Sequence, residues 1–225
     1  MLNISIDTIL SCIGVLVGLA AIVYACYLDS QGKPDLQMHV QDDTKGFEEG
    51  NPAQREPCKW LRIWVENKAH KGRALACQGT IAFFHYNDHT CVFPKEMEAR
   101  WSDGPIPDVH DFHKQMKQLP KEFQNTFNIE PTRQARLDLV IRMKSDDQCY
   151  GWNNDGYLYD DYRNPNWRLE PGQYIARVTV GVGSLRFYEL FIIHNDVGYE
   201  LFHHTQVNRN EKKTLLKTLP PIATA

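Results

Sequence analysis

Apolar and polar positions divide the chain near residue 30. From Thr8 to Leu28 the sequence is almost wholly apolar and holds no charged residue. A helix rises about 1.5 Å per residue, so this stretch spans roughly the 30 Å hydrocarbon core of a bilayer. Beyond it the pattern changes to alternation. Leu36, Met38 and Val40 alternate with polar residues and predict a first strand over Asp35 to Gln41. In Trp60 to Asn67, Leu61, Ile63 and Val65 form one face, and Trp60, Arg62, Trp64 and Glu66 form the other. Leu75 to Tyr86 predicts a further strand, with Gly79 as a candidate bulge. Shorter strands are expected at Thr90 to Phe93 and Met97 to Trp101. Longer ones follow at Leu137 to Met143, with Leu137, Leu139 and Ile141 on one face, and then at Leu169 to Val182, Leu185 to Ile193 and Tyr199 to His203.

Two segments break this rhythm. Asp103 to Phe127 carries three prolines and a near-helical spacing of Val109, Phe112, Met116 and Leu119, which predicts a short helical insert. Ser145 to Arg168 is a loop dense in Tyr, Trp, Asn and Asp. The predicted class is mainly β: one N-terminal transmembrane helix plus an antiparallel immunoglobulin-like β-sandwich with the short helical insert. The predicted organisation is an N-terminal flank (1–7), a transmembrane helix (8–28), a linker (29–34), the sandwich (35–207) and a flexible tail (208–225).

The residues before the apolar run, MLNISID, include no Lys or Arg, and the run is longer than a signal-peptide core, so an uncleaved anchor is expected. Lys33 and Lys45 follow it, and the positive-inside rule then places the C-terminal domain in the cytoplasm, on a single-pass protein of the cell membrane. Gly14 and Gly18 form a GxxxG pair, the spacing that lets two membrane helices pack closely, so a homodimer through this face is a candidate.

The net charge of −3 across 225 residues gives no reason to expect nucleic-acid binding. Of the six cysteines, Cys12 and Cys26 lie in the apolar run. Cys58, Cys77, Cys91 and Cys149 lie in the domain without a CxxC pair, so thiols and disulfides both stay open.

Candidate chemistry is sparse. His85, His89 and Cys91 lie close together and are the alternative metal ligands, with Cys77, His110 and His113 nearby, although their spacing matches no established zinc motif. Asn153, Asp155, Asp160 and Asp161 supply oxygens but lack the order of a calcium loop. No GxSxG, Walker or GxGxxG pattern is present, so the protein is not expected to be an enzyme and no cofactor is expected. Recognition is the better candidate. Trp152, Tyr157, Tyr159, Tyr162 and Trp167, with Tyr150, crowd one polar loop, and Trp60 and Trp64 share a strand face. Tyr and Trp offer rigid contact area with a polar tip, as in paratopes.

The segment LRIWVENKAHKGRALACQGTI looks like an L-x-V-x-N-x-G-x-x-A segment. With the anchor-then-KPDLQMHV junction and the late strand LEPGQYIARVTV, it resembles a group of prokaryotic proteins with one N-terminal membrane helix and a small sandwich domain. That resemblance implies an immunoglobulin-like sandwich and no chemistry. The expected function is a membrane-anchored sandwich module that binds a protein partner at the membrane surface. The alternatives are a ligand- or metal-sensing domain using the His/Cys cluster, and an enzyme with an unrecognised site.

Overall fold

The structure is a computed structural model that describes residues 15, 17–24, 32–40, 48–50, 57–104, 125–159, 162–198 and 201–220. Its strands, numbered in chain order, form two antiparallel sheets. The first runs β1 (Leu36–Val40), β3 (Pro57–Asn67), β7 (Gln134–Met143), β8 (Cys149–Gly151) and β9 (Arg168–Leu169), with β2 (Glu48–Gly50) also on β3. The second runs β12 (His203–Gln206), β11 (Leu185–Asn195), β10 (Gly172–Val182), β4 (Ala74–His85) and β5 (Met97–Glu98), with β6 (Thr126–Ile129) also on β4.

Alternation explains the central core. Leu61, Ile63 and Val65 of β3 share one buried cluster with Ile81 and Phe83 of β4, and with Val178 and Phe191. The period-2 pattern turns one side of each strand inward.

In two strands an irregularity changes that pattern. The register of β3 on β7 shifts between Leu61 and Arg62. Leu137, Leu139 and Val140 therefore face the central core, whereas Ile141 and Met143 belong to a different cluster on the outer face. The single face expected for Leu137, Leu139 and Ile141 is corrected by this bulge, because an extra residue reverses the side chains beyond it. In β4 the irregularity falls between Ala74 and Cys77, where Ala76 has φ 49°, and not at Gly79.

The outer face of the second sheet is covered by the C-terminal helix, Arg209–Thr218. Leu215 and Leu219 pack on Ala82, Phe84, Ile175 and Leu190. The flexible tail expected from residue 208 is thus corrected. Asn208 caps the helix by accepting from the Asn210 and Glu211 amides, and its own side-chain amide donates to Glu211. Such a cap is worth about 1 kcal/mol, and the buried leucines hold the helix down.

Other expectations are refined. Thr90 to Phe93 forms only an isolated bridge from Cys91 to Phe84. Residues 105–124, most of the expected helical insert, lie outside the described residues. So does most of Thr8 to Leu28. Among the described residues no helix is long and apolar enough to cross a membrane. Residues 17–24 are helical, and every one of them is exposed.

The segment expected to be a linker is held where it is described. Asn67 is wholly buried; its amide donates to the Gly72 and Ile129 carbonyls, and its Oδ1 accepts from the Asp35 and Ala69 amides. Lys68 N donates to Asp35 O at 2.7 Å. Gly72 lies so close to the Lys33 backbone that a Cβ there would overlap the Lys33 carbonyl. Asn67 and Gly72 therefore fasten the entry to β1 onto the end of β3.

A side chain of β12 reaches across to the first sheet. The His204 ring on β12 meets the Arg62 carbonyl of β3 at 2.7 Å. Burial, outweighing that bond, lowers its pKa from 6.5 to about 4, and His203 and Lys59 add to the effect. The unfolded imidazole takes up a proton near 6.5, but the folded one does so only near 4. Between these values the unfolded state binds more protons, so this contribution to stability is complete above about 6.5 and is lost as pH falls toward 4. The melting temperature should fall on acidification from pH 7 to 4.5. His204→Gln, which keeps a donor for the Arg62 carbonyl, should make that fall smaller. An identical fall in both proteins would exclude His204 as its source.

Candidate functional site: a capped polar face and an edge cleft

The outer face of the first sheet carries both charge and aromatic rings. Asp138 of β7 has no exposure, and β3 places Arg62 opposite it. The chain at 100–102 runs beside β7: the Asp138 amide donates to the Arg100 carbonyl, and Trp101 bridges Leu137. Trp101 points into the central core, so Arg100 and Ser102 point to the outer face. Arg62 Nε donates to Asp138 Oδ1 at 2.7 Å, Arg100 Nη1 donates to Oδ2 at 2.9 Å, and the Ser102 hydroxyl donates to Oδ1. Beside this group Arg136 pairs with Asp103.

Aromatic rings close over these charges. Trp60, Tyr150, Trp152, Tyr157 and Tyr162 form a buried cluster with Cys58, Ile141 and Met143. Trp152 lies at its centre, 6.4 Å from the Trp60 ring, 5.1 Å from Tyr157 and 5.3 Å from Tyr162. The Arg62 guanidinium sits 5.1 Å from the Trp60 ring centre, and that of Arg100 sits 5.3 Å from Tyr157. Burial pushes the Tyr157 hydroxyl up to about 12.

The polar residues of this loop shape its turns. Asn153 caps the 3-10 turn Asn154–Leu158 by accepting from the Gly156 amide, and Asn164 caps the turn Pro165–Trp167 in the same way. Asp146 pairs with Arg163 at 2.6 Å. The Trp152 ring fills the space at Gly156 where a Cβ would stand.

The picture of an exposed aromatic recognition loop is corrected here. Trp60, Trp152, Tyr157 and Tyr162 are buried together, and Trp167 is buried in the central core with its ring 5.0 Å from Phe93. Tyr159 and Trp64 are half-buried, and the Trp64 ring faces the Arg136 guanidinium at 5.9 Å. Ile141, Met143 and Trp60 give the outer face an apolar surface, and the loop rings remove that surface from water.

The metal alternative is also corrected. His85 and Cys91 are exposed, and the His85 ring packs at 5.6 Å from Tyr174. His89 occupies a turn at φ 59°. Among the described residues no three His, Cys, Asp or Glu side chains are placed to hold a metal ion. Cys58, Cys77 and Cys149 are buried cysteines outside any disulfide, and Cys91 is an exposed one. Burial drives the Cys77 pKa up to about 11 and raises that of Cys149 as well. Of the candidate calcium residues, Asn153 caps the turn that holds Asp155, and Asp160 and Asp161 lie outside the described residues. Of the helix-pairing glycines, Gly14 lies outside them and Gly18 has open space around it.

A cleft of about 360 Å³ opens between the edges of the two sheets, lined by Leu36, Gln37 and Met38 of β1, residues 186–189 of β11, Gln206 and Lys212. Here β1 is the outermost strand of its sheet. The Gln206 side chain donates to the Met38 carbonyl at 2.9 Å. Lys212 pairs with Glu189 at 3.0 Å and lies over the Tyr188 ring. Arg186 and Tyr188 are exposed on the rim.

No family model matches the chain, and no curated protein or solved structure matches it either.

Trp152→Ala should cost roughly 3–5 kcal/mol in denaturant unfolding, because it removes the centre of a buried cluster. Tyr159→Ala should change stability by less than about 1 kcal/mol. Equal, small effects would show that Trp152 is not part of a packed layer.

Proposed function

We propose that the protein is a single-pass membrane protein whose sandwich domain holds an extended segment of a neighbouring membrane protein in the cleft beside β1. The observation that carries the anchor is the helix at 17–24, where Val17, Leu19, Ile22, Val23 and Tyr24 are each more than half exposed. A helix that is apolar on all sides and packs on none of the other described residues needs an apolar solvent, and the surrounding Thr8–Leu28 sequence is long enough to reach across lipid.

The partner site differs from the aromatic loop. An outermost strand has unpaired backbone groups along one side, and extended peptides bind such edges by adding a strand. Gln206 donates to the Met38 carbonyl on that side of β1, and a partner strand would take the place of that side chain. The clamp at Asn67 and Gly72 fixes β1 to the segment emerging from the helix, so the cleft is held near the membrane and a bound neighbour gains effective concentration.

Two further parts of this reading have support. The order β1-β3-β7 in one sheet and β11-β10-β4 in the other, with the chain crossing between sheets from β3 to β4 and from β9 to β10, supports reading the strands as the A-B-E and G-F-C strands of an immunoglobulin-like sandwich. The lysines after the apolar run and the four unbridged thiols favour a domain on the reducing, cytoplasmic side. Pairing of anchors through Gly14 and Gly18 would bring two clefts together.

A photoreactive residue replacing Tyr188, in cells that make the full chain, should give a discrete protein adduct in the membrane fraction. Arg186→Glu should reduce that adduct without lowering the melting temperature. The same probe at Tyr159 should give none. Recovery of the protein in the soluble fraction would remove the anchor. Adducts from position 159 and none from 188 would return the partner site to the aromatic loop.

A further inference from the structure

Arg100 uses one end of its guanidinium and leaves the other without a partner. Its side chain is 5% exposed. Nη1 donates to Asp138, whereas Nε and Nη2 are buried and have no hydrogen-bond partner among the described residues. These two donors form one side of the planar guanidinium, the fork that accepts two oxygens of a single group through parallel bonds. A buried donor left unpaired carries its full desolvation cost, greater for a charged group, so the pair calls for an acceptor.

Asp138 does not supply it: Oδ1 accepts from Arg62 and Ser102, and Oδ2 meets Arg100 only at Nη1. The surroundings favour a planar ion. The Tyr157 ring stands 5.3 Å from the Arg100 guanidinium, and a carboxylate held by the fork lies in the guanidinium plane. Trp60 adds a third unpartnered donor, its buried indole Nε1, to the same aromatic layer.

We propose that the Nε/Nη2 edge of Arg100 binds a small carboxylate-bearing molecule beneath the Asn154–Leu158 turn. The site is separate from the edge cleft and independent of the membrane reading. Asp138 and Ser102 hold Arg100 in place, and Tyr157 covers it. Binding should rigidify residues 153–159, which cover the site.

The test uses the full chain in detergent micelles, with sodium acetate as probe and sodium chloride at matched ionic strength as control. Above its Kd, each tenfold rise in acetate should raise the melting temperature by roughly 3–5 °C. The Arg100 Nε–H resonance should shift saturably with the same Kd. Arg100→Lys keeps a cation for Asp138 but lacks the fork, and its acetate response should disappear. Inorganic phosphate in place of acetate should act more weakly. An Nε–H resonance that acetate leaves unmoved would overturn the proposal even if the lysine variant failed to fold. A stronger response to phosphate would overturn its planar-ion part.

Discussion

The fully buried carboxylate of Asp138 is the constraint on which the outer half of the molecule depends. An ionised carboxylate in the interior is tolerated only when it is paired and hydrogen-bonded. Arg62 from β3, Arg100 from the segment after β5 and Ser102 meet that demand together. The consequence is geometric. A residue on β7 fixes the neighbouring strand β3 and also a segment far from both in sequence. The two guanidinium groups then present flat cationic surfaces to Trp60 and Tyr157. The ring cluster around Trp152 is laid on that charged floor, and it seals the floor from water.

The sandwich thus has three apolar layers. One lies between the sheets. The loop rings cover the outer face of the first sheet, and the C-terminal helix covers that of the second. With both outer faces covered, the open ground for recognition moves to the edge, where β1 ends its sheet and the cleft lies. The clamp at Asn67 fastens the chain entering β1 to this same edge. Two residues after the apolar run of β3 thereby gain a physical reason: Asn67 satisfies four backbone groups, and Gly72 leaves room for the Lys33 backbone.

The strands were legible because alternation reports burial directly, as in Leu61, Ile63 and Val65. What escaped depends on contacts between distant residues. Asp138 stands out as a lone acid in LDLVIRM, but nothing local names Arg100 as its partner. The bulge at Leu61/Arg62 moved Ile141 to the other face, because a single inserted residue leaves no mark in an apolar run. The aromatic loop was misjudged for a chemical reason: Tyr and Trp serve equally as contact surface and as cap. A clue did exist, since Cys58, Trp60, Ile141 and Met143 make both faces of this sheet apolar and call for a cover. The C-terminal helix also announced itself, through Asn208 followed three residues later by Glu211.

Near-UV circular dichroism of Asp138→Asn is the most direct test of the charged floor. Asparagine has the same shape but leaves two buried guanidinium groups without their carboxylate, a loss on the order of 3–5 kcal/mol. The far-UV spectrum should keep its β character, while the near-UV signal of the Trp60, Trp152 and Tyr157 rings collapses and the melting temperature falls. A variant with the wild-type near-UV spectrum and melting temperature would show that the aromatic layer stands without Asp138.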